Sequence, residues 1–115
     1  MIMLVFSPEF DEKYDALKKY IDIHYGEKVR RKVVRTINER IRMLKKYPEA
    51  GICLSEISEV QTDYRYFFVA HNYIFYTYDG EKVEIVKMYG EEEDYMLQVF
   101  GISGRTQESI DYWGE

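Results

Sequence analysis

The beginning of the chain changes from a short apolar run to a pattern with helical spacing. Residues 2–6 are almost all apolar and have the length of a strand, and Ser7-Pro8 ends this run. Serine caps helices well and proline suits the first helical position, so a helix is predicted to begin here. Its buried face is predicted from the apolar side chains spaced three or four positions apart, Phe10, Tyr14, Leu17 and Ile21.

The next segment predicts a second helix from Glu27 to Lys46. Gly26 separates the two helices, and a glycine can end a helix in the left-handed conformation. A link this short makes the two helices antiparallel neighbours. Pro48 and Gly51 then end the helical pattern. One apolar stripe runs along the second helix and consists of Val29, Val33, Ile37, Ile41 and Leu44.

The second half of the chain is rich in aromatic and β-branched residues, which favour strands. A turn is predicted at His71-Asn72, and Asp79-Gly80 is a strong signal for a tight hairpin. The three strands that these turns separate are predicted at Tyr64–Val69, Tyr73–Tyr78 and Val83–Met88.

The third of these strands departs from strict alternation near its end. Val83 and Ile85 alternate with a glutamate, but Val86 and Met88 after them are both apolar. Both faces of this strand are therefore predicted to be partly covered. A short helix is predicted over residues 91–100, because acidic residues occupy its first turn.

Together these elements predict an α+β fold. It has an N-terminal strand, an antiparallel two-helix hairpin, a three-stranded antiparallel meander and a short C-terminal helix. The helices must cover one face of the sheet, because both elements have apolar surface to bury. A chain of 115 residues is the size of one domain and can bury a core without disulfides or a metal.

The composition bears on the cellular compartment of the protein and on whether it binds a cofactor or a metal. Cys53 is the single cysteine, which argues for a reducing compartment. The apolar run at the N-terminus is too short for a signal peptide or a membrane span, so a cytoplasmic protein without membrane contact is expected. No cofactor and no metal are expected, since His24, His71 and Cys53 lack ligand spacing and no glycine-rich phosphate motif is present.

The charges are unevenly distributed along the chain. The formal net charge is −5, yet residues 28–46 hold nine cations against Glu39 alone. Such segregation gives the surface regions of opposite sign. The basic segment is either a nucleic-acid surface or a solvated helix face, and the sequence alone leaves both open.

Several short motifs follow one another in a characteristic order. They are Phe6-Ser7-Pro8-Glu9-Phe10, Tyr47-Pro48-Glu49-Ala50-Gly51, Tyr64-Arg65-Tyr66, Asn72-Tyr73-Ile74-Phe75-Tyr76, Val83-Glu84-Ile85-Val86, Asp94-Tyr95 and Phe100-Gly101. Over this order the chain resembles the RelE/ParE superfamily of type II toxins, up to about Ile102. The resemblance implies a toxin domain over residues 1–102. The tail, residues 103–115, lies outside it and is predicted to pack on the domain through Tyr112 and Trp113.

The resemblance implies a toxin that arrests growth and is neutralised by a cognate antitoxin, and it leaves open a higher-order toxin–antitoxin complex. RelE-like members are endoribonucleases that cleave mRNA in the ribosome and inhibit translation, whereas ParE-like members inhibit DNA gyrase. Fold alone does not choose between these targets. We rank mRNA cleavage slightly above gyrase inhibition. A catalytically inactive member that acts as a binding module is a third hypothesis.

Cleavage of RNA requires a base for the 2′-hydroxyl, an acid for the leaving oxygen and cations for the phosphate. Arg65 and Tyr95 match motif positions of the RelE-like enzymes. Lys87 lies near the end of the last predicted strand, where the family can carry a basic residue, and His71 can titrate near neutral pH. Ordinary structural roles are open for all four: bracing the sheet, packing, forming the turn or facing solvent.

The residues before Tyr95 oppose the nuclease interpretation. Many relatives carry a histidine and arginines there, whereas this chain has four acids in a row, from Glu91 to Asp94. Acidic side chains repel a phosphate rather than stabilise it. Either catalysis uses other groups or the protein is not a nuclease.

Overall fold

The computed structural model describes residues 2–57 and 61–91. They form five strands and three helices, arranged as a mixed sheet with a helical hairpin on one face. In chain order the elements are β1 (Met3–Phe6), α1 (Pro8–Tyr25), α2 (Glu27–Met43), β2 (Ile52–Cys53), α3 (Leu54–Ile57), β3 (Arg65–Val69), β4 (Asn72–Tyr78) and β5 (Lys82–Gly90).

The predicted start of α1 is confirmed in detail. The Phe10 backbone N–H donates to Ser7 Oγ at 3.0 Å, which satisfies one of the first amides of the helix. The same hydroxyl donates to the Val86 carbonyl oxygen at 2.6 Å. Ser7 therefore fixes the helix start against the last strand. Gly26 has φ +91°, a conformation that favours glycine, and it links the two helices directly.

The sheet has the strand order β1-β5-β4-β3-β2. The predicted meander of three antiparallel strands forms its centre, as β3, β4 and β5. β1 pairs with β5 in parallel, with Phe6 opposite Ile85. The chain needs a crossover between parallel strands, and the helical hairpin is part of it.

A β-bulge explains the irregular apolar pattern of β5. Phe75 is opposite Lys87, whereas the next residue of β4, Tyr76, is opposite Ile85, so Val86 is the extra residue. The bulge changes which positions face the helices. Val83, Ile85 and Met88 all belong to the core under the helical hairpin, and Lys87 faces the other way.

The two faces of the sheet bury different side chains. The face under α1 and α2 holds the larger cluster, and the opposite face holds aromatic residues together with Leu54 of α3. Among the predicted helix contacts, Phe10, Tyr14, Ile21, Ile37, Ile41 and Leu44 are buried. Val29 is exposed instead, because it lies near the link at Gly26, beyond the sheet.

Two predicted details are wrong, and two elements were not predicted. The turn between β3 and β4 consists of Ala70 and His71, not His71-Asn72, and both residues have positive φ, as a type I′ turn requires. α2 ends at Met43 rather than Lys46, because the next amides bond three residues back and tighten the chain. β2 and α3 have no counterpart among the predicted elements.

Other predictions are confirmed or lie outside the described residues. The Asp79-Gly80 turn is confirmed, and Asp79 Oδ1 accepts hydrogen bonds from the backbone N–H groups of Glu81 and Lys82 at 2.9 Å. These hydrogen bonds hold the pKa of Asp79 below its usual value, and the one from Lys82 has the largest effect. The helix predicted over 91–100 falls outside the described residues except for Glu91, and the 103–115 tail falls outside entirely. No helix in the described ranges has the length and apolarity to cross a membrane.

Candidate functional site

Arg65, the first residue of β3, holds a loop of its own chain. It lies opposite Tyr76 and on the face of the sheet that the helices cover. Its guanidinium donates to the carbonyl oxygens of Gly51 at 3.1 Å and Glu49 at 3.3 Å. It also contacts the Glu49 carboxylate at 3.4 Å. Three contacts to one loop make Arg65 a brace between this loop and the sheet.

Tyr76 holds the same loop from the buried side. Its hydroxyl donates to the Pro48 carbonyl oxygen at 2.9 Å and accepts from the Gly51 N–H at 2.8 Å. Burial raises the pKa of Tyr76, while the bond from Gly51 acts in the opposite direction. We call Arg65, Tyr76 and the loop 48–51 the loop clamp. It holds the backbone of the Tyr47–Gly51 motif against the sheet.

Gly51 is required at its position by the closeness of Tyr76. A Cβ atom there would lie 2.6 Å from the Tyr76 hydroxyl oxygen and 2.9 Å from the Tyr66 carbonyl oxygen. Neither distance is compatible with a relaxed side chain. The loop therefore approaches the sheet as closely as a residue without Cβ permits.

Lys87 lies on the other face of the sheet and is paired with a carboxylate. Its Nζ is 2.6 Å from Glu9 Oε2, at the start of α1, and its side chain is 23% exposed. The hydrogen bond to Glu9 raises the pKa of Lys87, although burial acts in the opposite direction. Lys87 is thus a cation throughout the physiological pH range and a poor proton donor there.

The aromatic residues around Lys87 form a packed ladder across the strands. Tyr66 lies opposite Phe75, with ring centroids 5.6 Å apart, and Phe75 lies opposite Lys87. Lys13 of α1 approaches the ring of Tyr89 at 5.2 Å. Because Tyr66 and Phe75 are buried, their rings are not exposed for stacking on RNA bases. The aromatic pattern of these strands is therefore explained mainly by cross-strand packing.

His71 is a turn residue at the end of the β3–β4 hairpin. Its side chain is 81% exposed, and its Nδ1 lies 3.2 Å from Glu91 Oε1. The backbone N–H of Glu91 donates to the His71 carbonyl oxygen at 2.9 Å. The first acid of the 91–94 run therefore contacts the turn, and Glu92 to Asp94 lie outside the described residues.

The structure does not bring the predicted site residues together. Arg65 and Lys87 point to opposite faces of the sheet, and His71 follows the far end of the five-residue strand that Arg65 begins. At about 3.3 Å per residue, that strand separates them by more than about 13 Å. Each of the three contacts its own carboxylate, on Glu49, Glu9 and Glu91 respectively. Tyr95, the fourth predicted residue, lies outside the described residues.

The partners of these residues are distant along the chain and have no local signal in the sequence. Glu9 and Lys87 are 78 positions apart, and no local pattern connects them. Tyr76 was assigned to an aromatic strand, but its hydroxyl contacts a loop that precedes it by 25 to 28 positions. Within residues 2–57 and 61–91, no group of three or more potential ligands could hold a metal ion.

Comparison with known proteins places the chain in a family. The model of the family described as "ParE toxin of type II toxin-antitoxin system, parDE" matches residues 4–95. A solved structure, described as "Chromosomal ParDE TA system from P. aeruginosa", has a chain with a TM-score of 0.64 and 19% sequence identity. The match covers 78% of this chain and 96% of that one. No curated protein matches this sequence.

The structural match and the family match support different conclusions. At 19% identity the structural likeness shows the α+β fold alone, and this fold agrees with the one predicted from the sequence. The family match spans most of the chain and includes β1, the helical hairpin and the central strands. It therefore confirms the predicted superfamily and narrows it: the chain belongs to the ParE toxin family of type II toxin–antitoxin systems.

Proposed function

We propose that this toxin arrests growth in the cytosol by binding DNA gyrase and that a cognate antitoxin neutralises it. The observation that carries the proposal is the separation of Arg65 and Lys87 onto opposite faces of the sheet. Cleavage of an RNA phosphodiester needs cations, a base and an acid at one phosphate. Inhibition by binding to gyrase requires a complementary surface, but it does not require cations, a base and an acid at one point.

The pairing of each candidate cation supports the same conclusion. Lys87 would have to release Glu9, and Arg65 would have to release both the Glu49 carboxylate and two carbonyl oxygens. Charge-assisted hydrogen bonds of this kind are the stronger ones in proteins, so such a rearrangement is costly. A carboxylate next to the reacting phosphate would also oppose the charge that develops there.

The end of the helical hairpin offers a surface for a protein target. Tyr20, Ile23 and Tyr25 lie near the link at Gly26 and are 53%, 79% and 63% exposed. The ring of Tyr20 also packs against that of His24, with ring centroids 4.3 Å apart and the planes tilted by 40°. Exposed aromatic and aliphatic side chains that lie together are typical of protein-binding surfaces. We assign this hairpin tip, residues 20–25, as the gyrase-contacting surface.

The antitoxin is proposed to bind elsewhere, along the outer edge of β1. This strand pairs with β5 on one side and ends the described sheet on the other. Its Met3 and Phe6 are exposed, and an extended peptide can use such side chains together with backbone hydrogen bonds. A partner strand there would lie beside the start of α1, where Ser7 and Glu9 contact β5.

Ribosome-dependent mRNA cleavage is the second candidate, and the concentration of cations in residues 28–46 favours it. One experiment separates the two. The chain is expressed from an inducible promoter in bacteria without an antitoxin, while DNA and protein synthesis are pulse-labelled. Gyrase inhibition predicts an early fall in DNA synthesis, and the purified chain then inhibits supercoiling by gyrase in vitro.

The other outcomes are equally informative. An early fall in protein synthesis, with new mRNA ends, would reject the gyrase target and support cleavage in the ribosome. Normal growth with folded protein present would mean that the chain is a binding module without toxicity. Ile23→Glu tests the hairpin tip directly, and Met43→Glu is its matched control because it places the same charge at another exposed apolar position.

A further inference from the structure

The outward face of α2 carries a line of cations to which gyrase binding at the hairpin tip assigns no role. At 100° per residue, Lys28, Arg31, Lys32, Arg35 and Arg42 lie within one sector of about 100°. This sector is opposite Ile37 and Ile41, which are buried against the sheet. We call these five cations the basic stripe. Glu39 is the single acid within the sector.

All five side chains are exposed, and four of them are available to a ligand. Arg31 pairs with Glu27 at 2.7 Å. Within residues 2–57 and 61–91, no acidic side chain forms an ion pair with Lys28, Lys32, Arg35 or Arg42. By contrast, Arg30, on the inward side of the same helix, pairs with Asp22 at 3.2 Å. Of the five α2 cations without a carboxylate partner in these ranges, four thus lie on its outward face. The fifth, Arg40, lies over the Phe67 ring, 5.4 Å from its centroid.

The stripe runs along the axis of α2. Lys28 and Arg42 are 14 residues apart on one helix, which corresponds to about 21 Å at 1.5 Å per residue. Along a DNA duplex, each strand carries one phosphate per about 3.4 Å of axis, so the stripe extends along about six base pairs. Like charges three or four positions apart, such as Lys28–Lys32 and Lys32–Arg35, destabilise a helix when no anion neutralises them.

We propose that the basic stripe binds the phosphate backbone of duplex nucleic acid. The chemistry of the sector favours phosphate over a protein partner. The six positions within the sector contain no apolar or aromatic side chain. Asn38 borders it on one side and the exposed Met43 on the other, at the C-terminal end of α2. Protein interfaces depend on such anchors at their centre and are depleted in lysine. A row of lysines and arginines without anchors instead suits phosphates, which are contacted without reading the sequence.

The stripe is distinct from the other proposed surfaces. It lies on the side of α2 that faces away from the sheet, whereas β1 is at the sheet edge and the hairpin tip is centred on α1. The proposal does not rest on gyrase as the target. A toxin bound to gyrase at its tip could hold the neighbouring DNA through the stripe, and a toxin in complex with its antitoxin could add contacts to DNA.

The test uses the purified chain and a short fluorescein-labelled DNA duplex, with binding followed by anisotropy between about 50 and 200 mM salt. The triple variant Lys32→Gln/Arg35→Gln/Arg42→Gln is compared with Lys18→Gln/Lys19→Gln/Lys82→Gln, which removes three cations outside the stripe. We expect the stripe variant to bind about tenfold or more weakly. Its slope of log affinity against log salt should decrease by up to about 2.7, because each lost phosphate contact contributes about 0.9.

Several results would overturn the proposal. The proposal fails if the wild-type chain does not bind the duplex at about 50 mM salt. It also fails if the control variant loses as much affinity as the stripe variant. Tighter binding to the single strand than to the duplex would reject the duplex. Displacement of the duplex by poly-glutamate at equal charge concentration would assign the stripe to acidic proteins. Inhibition of supercoiling, measured separately on the same variants, reports on gyrase and is not required for this result.

Discussion

The hydroxyl oxygen of Tyr76 accepts a hydrogen bond from the backbone N–H of Gly51 at 2.8 Å, across 25 positions of the chain. The same hydroxyl donates to the Pro48 carbonyl oxygen, so one side chain of the central strand satisfies two backbone groups of the loop. Arg65 holds two more carbonyl oxygens of this loop. The loop clamp is therefore a structural device, and it fixes the connection between the helical hairpin and the sheet.

Removal of the Tyr76 hydroxyl tests the clamp. Tyr76→Phe keeps the buried ring but leaves the Gly51 N–H and the Pro48 carbonyl without their partner. We expect the free energy of unfolding to fall by about 1–3 kcal/mol, the usual cost of unsatisfied buried polar groups. Urea denaturation measures it, and Tyr20→Phe is the control because Tyr20 is exposed. Equal stability of wild type and Tyr76→Phe would show that the hydrogen bonds of the Tyr76 hydroxyl do not stabilise the fold.

The second prediction concerns the closeness of Gly51 to Tyr76. Gly51→Ala places a Cβ 2.6 Å from the hydroxyl oxygen, and we expect overpacking to destabilise the protein by about 1–3 kcal/mol. In the Tyr76→Phe background this cost should be smaller, since the nearest atom is gone. It should not vanish, because the phenylalanine ring keeps the Cε1 carbon 2.7 Å away and the Tyr66 carbonyl oxygen remains 2.9 Å away. A double-mutant cycle with urea denaturation measures the coupling energy between the two substitutions. If their losses of stability were strictly additive, the close contact between Gly51 and Tyr76 would be contradicted.

The elements of this fold that could be predicted have local signals. Ser7-Pro8, Gly26 and Asp79-Gly80 mark boundaries, and each is confirmed where the pattern placed it. The two-residue strand β2 is too short to show a period, and it exists because Ile52 and Cys53 pair with β3. Its formation depends on tertiary contact, which a local reading of the sequence does not contain.

The candidate site was less predictable for the same reason. The sequence shows that Arg65 and Lys87 are cations on strands, but the β-bulge in β5 decides that they face opposite sides. The bulge was visible only as an irregular apolar pattern. The roles of these cations come from Glu49 and Glu9, which are distant along the chain. A resemblance to RelE-like enzymes suggested one common site, and the register of the sheet separates its members.

Alkaline pH should destabilise the protein through Tyr14. Burial raises the pKa of Tyr14 to about 12, whereas an unfolded tyrosine titrates near 10. Between these values the folded chain keeps a proton that the unfolded chain has lost, so the free energy of unfolding falls as the pH rises. In the Tyr14→Phe variant this position has no hydroxyl group and therefore no proton to lose. It starts less stable, because the 2.8 Å hydrogen bond to Asn38 Oδ1 is lost, but its stability should decline less steeply.

Chemical denaturation of both proteins at pH values of about 9, 10 and 11 measures this difference. The informative quantity is the slope of the free energy of unfolding against pH, not its absolute value. Other tyrosines titrate in both proteins and cancel in the comparison. Parallel lines for wild type and Tyr14→Phe would show that Tyr14 ionises equally in the folded and unfolded chains.

Toxicity should depend on the hairpin tip and not on Lys87. Lys87→Gln removes a cation that is already paired with Glu9, so we expect growth arrest to persist if the toxin acts by binding. Ile23→Glu places a charge on the apolar side chain of the tip that is most exposed, and it should relieve arrest, since a desolvated charge opposes a protein interface. Growth after induction measures both, with the protein level checked by immunoblot and folding by circular dichroism. A toxic Ile23→Glu together with a harmless Lys87→Gln would reverse the assignment, because it would place the essential group on the aromatic face of the sheet, where a nuclease would need it.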